Sequence, residues 1–156
     1  MAIAARLAEY LQEHDIPYEV LDHSHSRSSM ETAQRAHIPG DRLAKTVVLE
    51  DEEGYLLAVL PASHRLDLGE LHRQLNRSLG LATEQELDVM FEDCETGAIP
   101  PAASAYGLEA IVDGALAEQP DVFIEAGDHE RLLHLSAENF AALLEGARHS
   151  QFSRHL

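Results

Sequence analysis

The sequence is nearly devoid of lysine: of its 11 basic residues ten are arginine, and the one lysine is Lys45. It also lacks a basic leader with an apolar stretch behind it, and no apolar run approaches the roughly twenty residues that a membrane-spanning helix needs. Neither export nor membrane insertion is expected, and the expected location is cytoplasmic. A single cysteine, Cys94, excludes an internal disulfide and fits a reducing compartment. Positive charge is scarce throughout, and the formal net charge of -17 repels phosphate backbones. That field excludes DNA and any long nucleic-acid footprint held by counterion release, leaving room only for a small local contact. Repeats and low-complexity segments are absent.

What is present suits one domain over residues 1–156 with one core. Ile3, Leu7, Tyr10 and Leu11 recur at helical spacing, so residues 2–14 are predicted as an amphipathic helix. A short strand follows at Tyr18 to Leu21. Ser28-x-x-Glu31, Asp67-x-x-Glu70 and Thr83-x-x-Glu86 have capping-box spacing and predict three helix starts, the first helix stopping near Pro39-Gly40. Thr46 to Leu49 and Tyr55 to Leu60 are β-rich runs around the charged turn Glu50 to Gly54, and should pair as a central hairpin. Both runs are apolar at almost every position, which predicts a sheet covered on both faces. Strands are also expected at Ala110 to Val112, Val122 to Ile124 and Leu132 to Leu135, with Ser136 capping a last helix and a frayed tail over 146–156. The order lacks a regular βαβ alternation, so the fold class is α+β.

Two stretches invite chemistry. Lys45 stands at the head of a hydrophobic strand, where an ammonium offers a compact charge, three donors and a tunable pKa that a guanidinium does not imitate. Its bland alternative is a strand-edge lysine that snorkels to water. Gly97-Ala98-Ile99-Pro100-Pro101 is small and rigid: glycine admits unusual backbone geometry, and the prolines fix φ and remove their own donors. The amides of Gly97, Ala98 and Ile99 are then free to point outward and cradle a carbonyl oxygen or oxyanion. Its alternative is a proline-stiffened connection.

Ala44-Lys45-Thr46 opening a strand, a hairpin partner, Leu66-Asp67-Leu68 opening a helix, the glycine-x-x-x-proline loop Gly97 to Pro101, Ile111-Val112-Asp113 and Leu135-Ser136 occur in that order. This ordered set resembles the YbaK-like family of aminoacyl-tRNA deacylases, which includes the editing domain inserted in some bacterial prolyl-tRNA synthetases. The resemblance runs from residue 2 to about residue 146. It implies a mixed, barrel-like sheet surrounded by helices, and a free-standing trans-editing protein that hydrolyses the ester of mischarged tRNA, often proline tRNA carrying alanine or cysteine. A synthetase is a possible partner, and no cofactor or metal is implied. By position it makes Lys45 the catalytic residue and assigns substrate contact to the loop from Gly97 to Pro101, with Asp113 at a family-like place. Where the family often has a tyrosine or small residues before the loop, this chain has Phe91-Glu92-Asp93-Cys94-Glu95-Thr96. In place of a glycine-glycine turn it has Ala126-Gly127-Asp128-His129-Glu130.

The remaining constellations carry less. Ser63-His64 should lie near Lys45 if the hairpin pairs in register, and either residue could touch substrate. A serine-histidine hydrolase is disfavoured because the two are adjacent in sequence and no nucleophile elbow is present. His23, His25 and His37 lack a matched fourth metal ligand. Cys94 sits among carboxylates that should raise its pKa, and is read as a bystander. The non-enzymatic alternative is a binding module that takes an aminoacyl or nucleotide-like ligand in the same pocket, or a protein-interaction domain. Whether Arg27, Arg35 and Arg42 gather on the Lys45 face bears on the choice.

Overall fold

In the computed structural model, which describes residues 3–156, the predicted runs pair as a hairpin of β2 (Leu43–Asp51) and β3 (Gly54–Pro61). Lys45 stands opposite Leu60 and Asp51 opposite Gly54, so the strands reach further into the charged turn than expected. Only Glu52 and Glu53 remain as the loop, and Gly54 takes φ +131°, a value closed to side-chain-bearing residues. Arg77 clasps this end, with Nε to Asp51 Oδ2 at 2.7 Å and Nη2 to Oδ1 at 2.6 Å, and holds the Asp51 carboxyl down to about 2.

Around the hairpin, β1 (Glu19–Asp22), β8 (Arg131–Ser136) and β7 (Asp121–Glu125) extend the sheet on the β2 side, while β6 (Glu109–Asp113) and β9 (Arg148–Ser150) extend it on the β3 side. The contacts of β2 with β7, β3 with β6 and β6 with β9 are parallel and the others antiparallel, so the sheet is mixed. The short β5 (Gly80–Leu81) adds to the far end of β2, and β4 (His64–Leu66) forms a separate ribbon with β10 (Ser153–His155).

The predicted two-sided cover is present, and β3 alternates between its faces. Leu57 and Val59 join the larger core under α1 (Ala5–Glu13) and α6 (Ala137–Leu143), which supply Leu7, Leu11, Phe140 and Leu143. Leu56, Ala58 and Leu60 join the opposite cluster under α3 (Leu68–Leu75), which supplies Leu71. A third cluster, with Leu43, Ala62 and Leu132, lies under Ala33 of α2 (Ser29–Ala36). The class is α+β, with helices on both faces of the sheet.

The capping readings hold at helix starts. Ser28 Oγ accepts from the Glu31 amide at 3.2 Å, and Asp67 Oδ1 from Glu70 at 3.0 Å. Thr83 and Glu86 form the full reciprocal box before α4 (Glu84–Met90). At Ser28 and Asp67 the box is half made, because the Glu31 carboxylate turns outward to Arg35 at 2.9 Å and the Glu70 carboxylate to Arg73 and Gln74.

The expected frayed tail over 146–156 is not what forms. Arg148 to Ser150 pair with β6, Ser153 to His155 pair with β4, and Phe152 between them is 1% exposed in the cluster under α3. One buried aromatic and two strand contacts tie down a segment whose polar composition had suggested solvent. Residues 1 and 2, where the first helix was predicted to begin, lie outside the described residues.

Candidate active site

Lys45 follows Leu43 by two residues on β2, and therefore shares its face, under α2. It is half-buried, and its Nζ donates to the His64 carbonyl oxygen at 2.7 Å. Burial lowers its pKa from the ordinary lysine value. One of the three ammonium donors is spent on that carbonyl.

Ser63 and His64 form the corner between β3 and β4. Ser63, 7% exposed, donates its hydroxyl to Asp41, and Gly40 admits this close approach: a Cβ there would stand 3.2 Å from both Ser63 Cβ and Met30 Sδ. His64 Nδ1 is bonded to Ser153 Oγ at 2.9 Å, and burial lowers its pKa. The expected neighbourhood of Lys45, Ser63 and His64 is thus formed.

Asp113, expected to touch substrate, is engaged within the fold. It is 2% exposed, and its carboxylate accepts from the Ala115 amide at 2.9 Å, the Phe152 amide at 3.0 Å and Ser153 Oγ at 2.8 Å. Capping α5 (Gly114–Ala117) and holding the C-terminal segment occupy its oxygens, and its reach toward His64 passes through Ser153.

The loop from Gly97 to Pro101 forms a second group. Gly97 is exposed at φ +84°, while Ala98, Ile99, Pro100 and Pro101 are buried. Of the three amides expected to point outward, that of Ala98 donates to the Glu95 carbonyl at 3.1 Å, whereas those of Gly97 and Ile99 have no backbone partner among the described residues. Behind the loop stands His129. A Cβ on Gly97 would sit 3.3 Å from its ring, and its Nε2 donates to the Thr96 carbonyl at 2.5 Å, leaving Nδ1 buried and without a partner among the described residues. No hydrogen bond joins Lys45 to this loop among the described residues.

Glu125 is the residue the sequence reading missed. Parallel pairing of Leu43 with Phe123 and of Ala44 with Ile124 makes Lys45 and Glu125 the next positions on neighbouring strands, and both project from the α2 face. Glu125 is 1% exposed, neither carboxyl oxygen has a partner among the described residues, and the Thr32 hydroxyl beside it is engaged with Ser26. Burial, opposed by the neighbouring Thr32 hydroxyl and aided least by Asp128, pushes its pKa up to about 8. The signal was available: an acidic residue continuing the apolar run Val122-Phe123-Ile124 into an alanine-glycine turn.

Cys94 is half-buried, and burial, with Asp93 adding to it, lifts its thiol to about 12, so it is not a thiolate near neutral pH. His25 lies 3.6 Å from Glu95, and His37 closes α2 with φ 57°. Arg35 is bound to Glu31 and Arg42 to Asp121 at 3.0 Å, so these two arginines do not lend free charge to Lys45. Cations stand elsewhere near the site: Arg65 and Arg154 are opposite each other in the β4–β10 ribbon, next to His64 and His155 in sequence, with Arg154 3.5 Å from the Asp67 carboxylate. A groove of about 570 Å³ is lined by residues such as Arg77, Ser104 and Gly146 and contains none of the expected site residues. No described helix is long and apolar enough to cross a membrane.

The family model of the aminoacyl-tRNA editing domain matches residues 23–143, a span that includes Lys45, the loop, Glu125 and His129. No protein of curated function matches the sequence. Among solved structures, one described as a candidate trans-editing enzyme for prolyl-tRNA synthetase superposes with TM-score 0.84 at 24% identity, over 97% of this chain and 96% of that one. A scaffold protein used for grafting linear epitopes gives 0.84 at 22% identity, over 98% and 97% of the two chains. A candidate signal transduction protein from Marinobacter aquaeolei VT8 gives 0.75 at 24% identity, over 95% of this chain and 30% of that one. At these identities the structural likeness is one of fold.

Proposed function

The chain belongs to the aminoacyl-tRNA editing domain family, and on that premise we propose that it is a trans-acting deacylase that hydrolyses the ester of mischarged tRNA, with alanyl- or cysteinyl-tRNA(Pro) as first candidates. The observation that carries this reading is the half-buried Lys45 ammonium, which keeps two donors after its bond to the His64 carbonyl.

An aminoacyl ester is already activated, so the site need only hold it, orient a water and stabilise the oxyanion. Water adds to the ester carbonyl, the tetrahedral carbon expels the ribose oxygen, and that oxygen takes up a proton. Lys45 anchors the carbonyl region or terminal phosphate, and the Gly97 and Ile99 amides receive the developing negative charge. Glu125, buried without a partner on the same sheet face, suits the α-ammonium of the aminoacyl group, whose charge would draw the carboxyl to its ionised form. A separate editing site has thermodynamic purpose, because a methylene distinguishes two substrates by only about 1–3 kcal/mol in one hydrophobic pocket. Arg65, and Arg154 on exchanging its exposed Asp67 partner for phosphate, offer contacts beside the Lys45 corner, a footprint small enough for so acidic a chain.

A second reading, ligand binding without turnover, draws support from Arg35 and Arg42 being spent on carboxylates. Offering Ala-, Cys-, Ser- and Thr-charged tRNAs, tRNA(Pro) included, separates the two. Deacylation of one or more supports the enzyme, whereas saturable binding with every ester intact supports the binding module.

A further inference from the structure

We propose that Asp41, His64 and His155 form a binding site for one divalent transition-metal ion of the zinc or nickel kind. The three residues come from distant segments: Asp41 from the 3₁₀ turn Gly40–Arg42, His64 from β4 and His155 from β10. Their donor atoms lie within 4.8 Å of one another, and the histidine rings meet edge-on with centroids 5.2 Å apart. Tetrahedral zinc, with bonds near 2.0–2.1 Å, places its ligand atoms about 3.3 Å apart, so side-chain rotation of about 1–1.5 Å completes the set. Two imidazoles and one carboxylate leave a fourth position open to water, and that donor chemistry suits zinc or nickel rather than magnesium or calcium.

Hydrogen bonds set both histidines in the orientation that ligation requires. Ser153 Oγ has one proton and donates it to the buried Asp113 carboxylate at 2.8 Å. Toward His64 Nδ1, at 2.9 Å, it is therefore the acceptor, so Nδ1 carries the ring proton and Nε2 keeps its lone pair. This is the carboxylate-backed arrangement by which outer partners fix a metal-bound imidazole, here extended through a serine. His155 Nδ1 likewise lies 3.0 Å from the Leu156 oxygen, an acceptor, which leaves the neutral ring's lone pair on Nε2. That Nε2 stands 3.0 Å from Asp41 Oδ1, which already accepts the Ser63 hydroxyl. Lone pair against carboxylate is repulsive unless a positive centre intervenes, either a proton on His155 or a metal ion. Lys45, bonded to the His64 carbonyl, and the exposed Arg65 and Arg154 of the ribbon are the nearby cations that oppose the ion. Occupancy would pin the C-terminal strand to the start of β2, beside the Lys45 corner, and it stands whether or not the chain is a deacylase.

The test is calorimetric titration of the untagged, metal-stripped chain with zinc chloride and with nickel chloride. One ion per chain is expected, with at least tenfold weaker binding in His155→Ala and in Asp41→Asn, both half-exposed positions whose replacement spares the core. Ser153→Ala removes no ligand, and should weaken binding about tenfold by freeing the His64 ring. Melting each variant without metal confirms that it folds. Absence of binding would overturn the site in favour of a proton on His155, and binding unchanged in the Asp41 and His155 variants would assign the ion to other histidines.

Discussion

Ser153 and Asp113, 40 residues apart, are joined by a 2.8 Å hydrogen bond that ties the C-terminal strand to the end of β6. The same carboxylate takes the Phe152 amide at 3.0 Å, so one buried side chain fixes the chain on either side of the Phe152 anchor. Asp113→Ala should cost about 3 kcal/mol, since it leaves buried donors unmet. Limited proteolysis should then cut first within residues 146–156, whereas the wild-type tail resists. An intact tail in the variant would show that Phe152 burial suffices alone.

Glu125 ties stability to pH with a definite sign. Its carboxyl titrates near 4.5 when unfolded and about 8 when folded, so the folded state binds the extra proton between those values. The contribution is fully present below about pH 4.5 and is lost as pH rises through about 8, at up to about 1.4 kcal/mol per unit. Urea midpoints should therefore fall across this window for wild type and be flatter for Glu125→Gln. Equal slopes for the two proteins would contradict the burial argument.

Arg65 and Arg154 stand opposite each other on the β4–β10 ribbon and are exposed. Replacing both by glutamate should raise KM for charged tRNA, leave kcat nearly unchanged, and reduce the salt slope of binding by about one for each lost phosphate contact. A fall in kcat alone, with KM and salt slope intact, would move the phosphate path elsewhere.

Gly97 combines φ +84° with an exposed amide lacking a backbone partner and a histidine ring where a Cβ would go. Gly97→Ala should lower kcat on the order of 10²-fold through displacement of the loop amides, with a smaller change in KM. Unaltered kcat would remove the loop from the oxyanion's surroundings.

Much of this was legible from local chemistry. Ser28, Asp67, Thr83 and Ser136 announced their helices because a cap is decided within four residues, and the unbroken apolar runs of β2 and β3 announced two-sided burial. Lys45 drew attention by rarity, and Ser63 and His64 by hairpin register. The remainder depends on contacts across long sequence separation. The tail looked free because what holds it, Asp113 and the β4 edge, lies far upstream. Asp113 drew attention by its position, while the Phe152 and Ser153 groups that its carboxylate holds lie far along the chain. Glu125 passed unnoticed because only the parallel register of β2 and β7 makes it a neighbour of Lys45, and the Asp41, His64 and His155 group is assembled wholly by tertiary structure.

The central claim concerns Lys45, and release of labelled alanine from alanyl-tRNA(Pro) at substoichiometric protein tests it most directly. Wild type should accelerate release well above the uncatalysed rate, and Lys45→Ala, folded by its melting curve, should lose that acceleration by at least about a hundredfold. Lys45→Arg should fail to restore it, because a forked guanidinium does not reproduce a compact ammonium. Equal rates in wild type and Lys45→Ala would contradict the account.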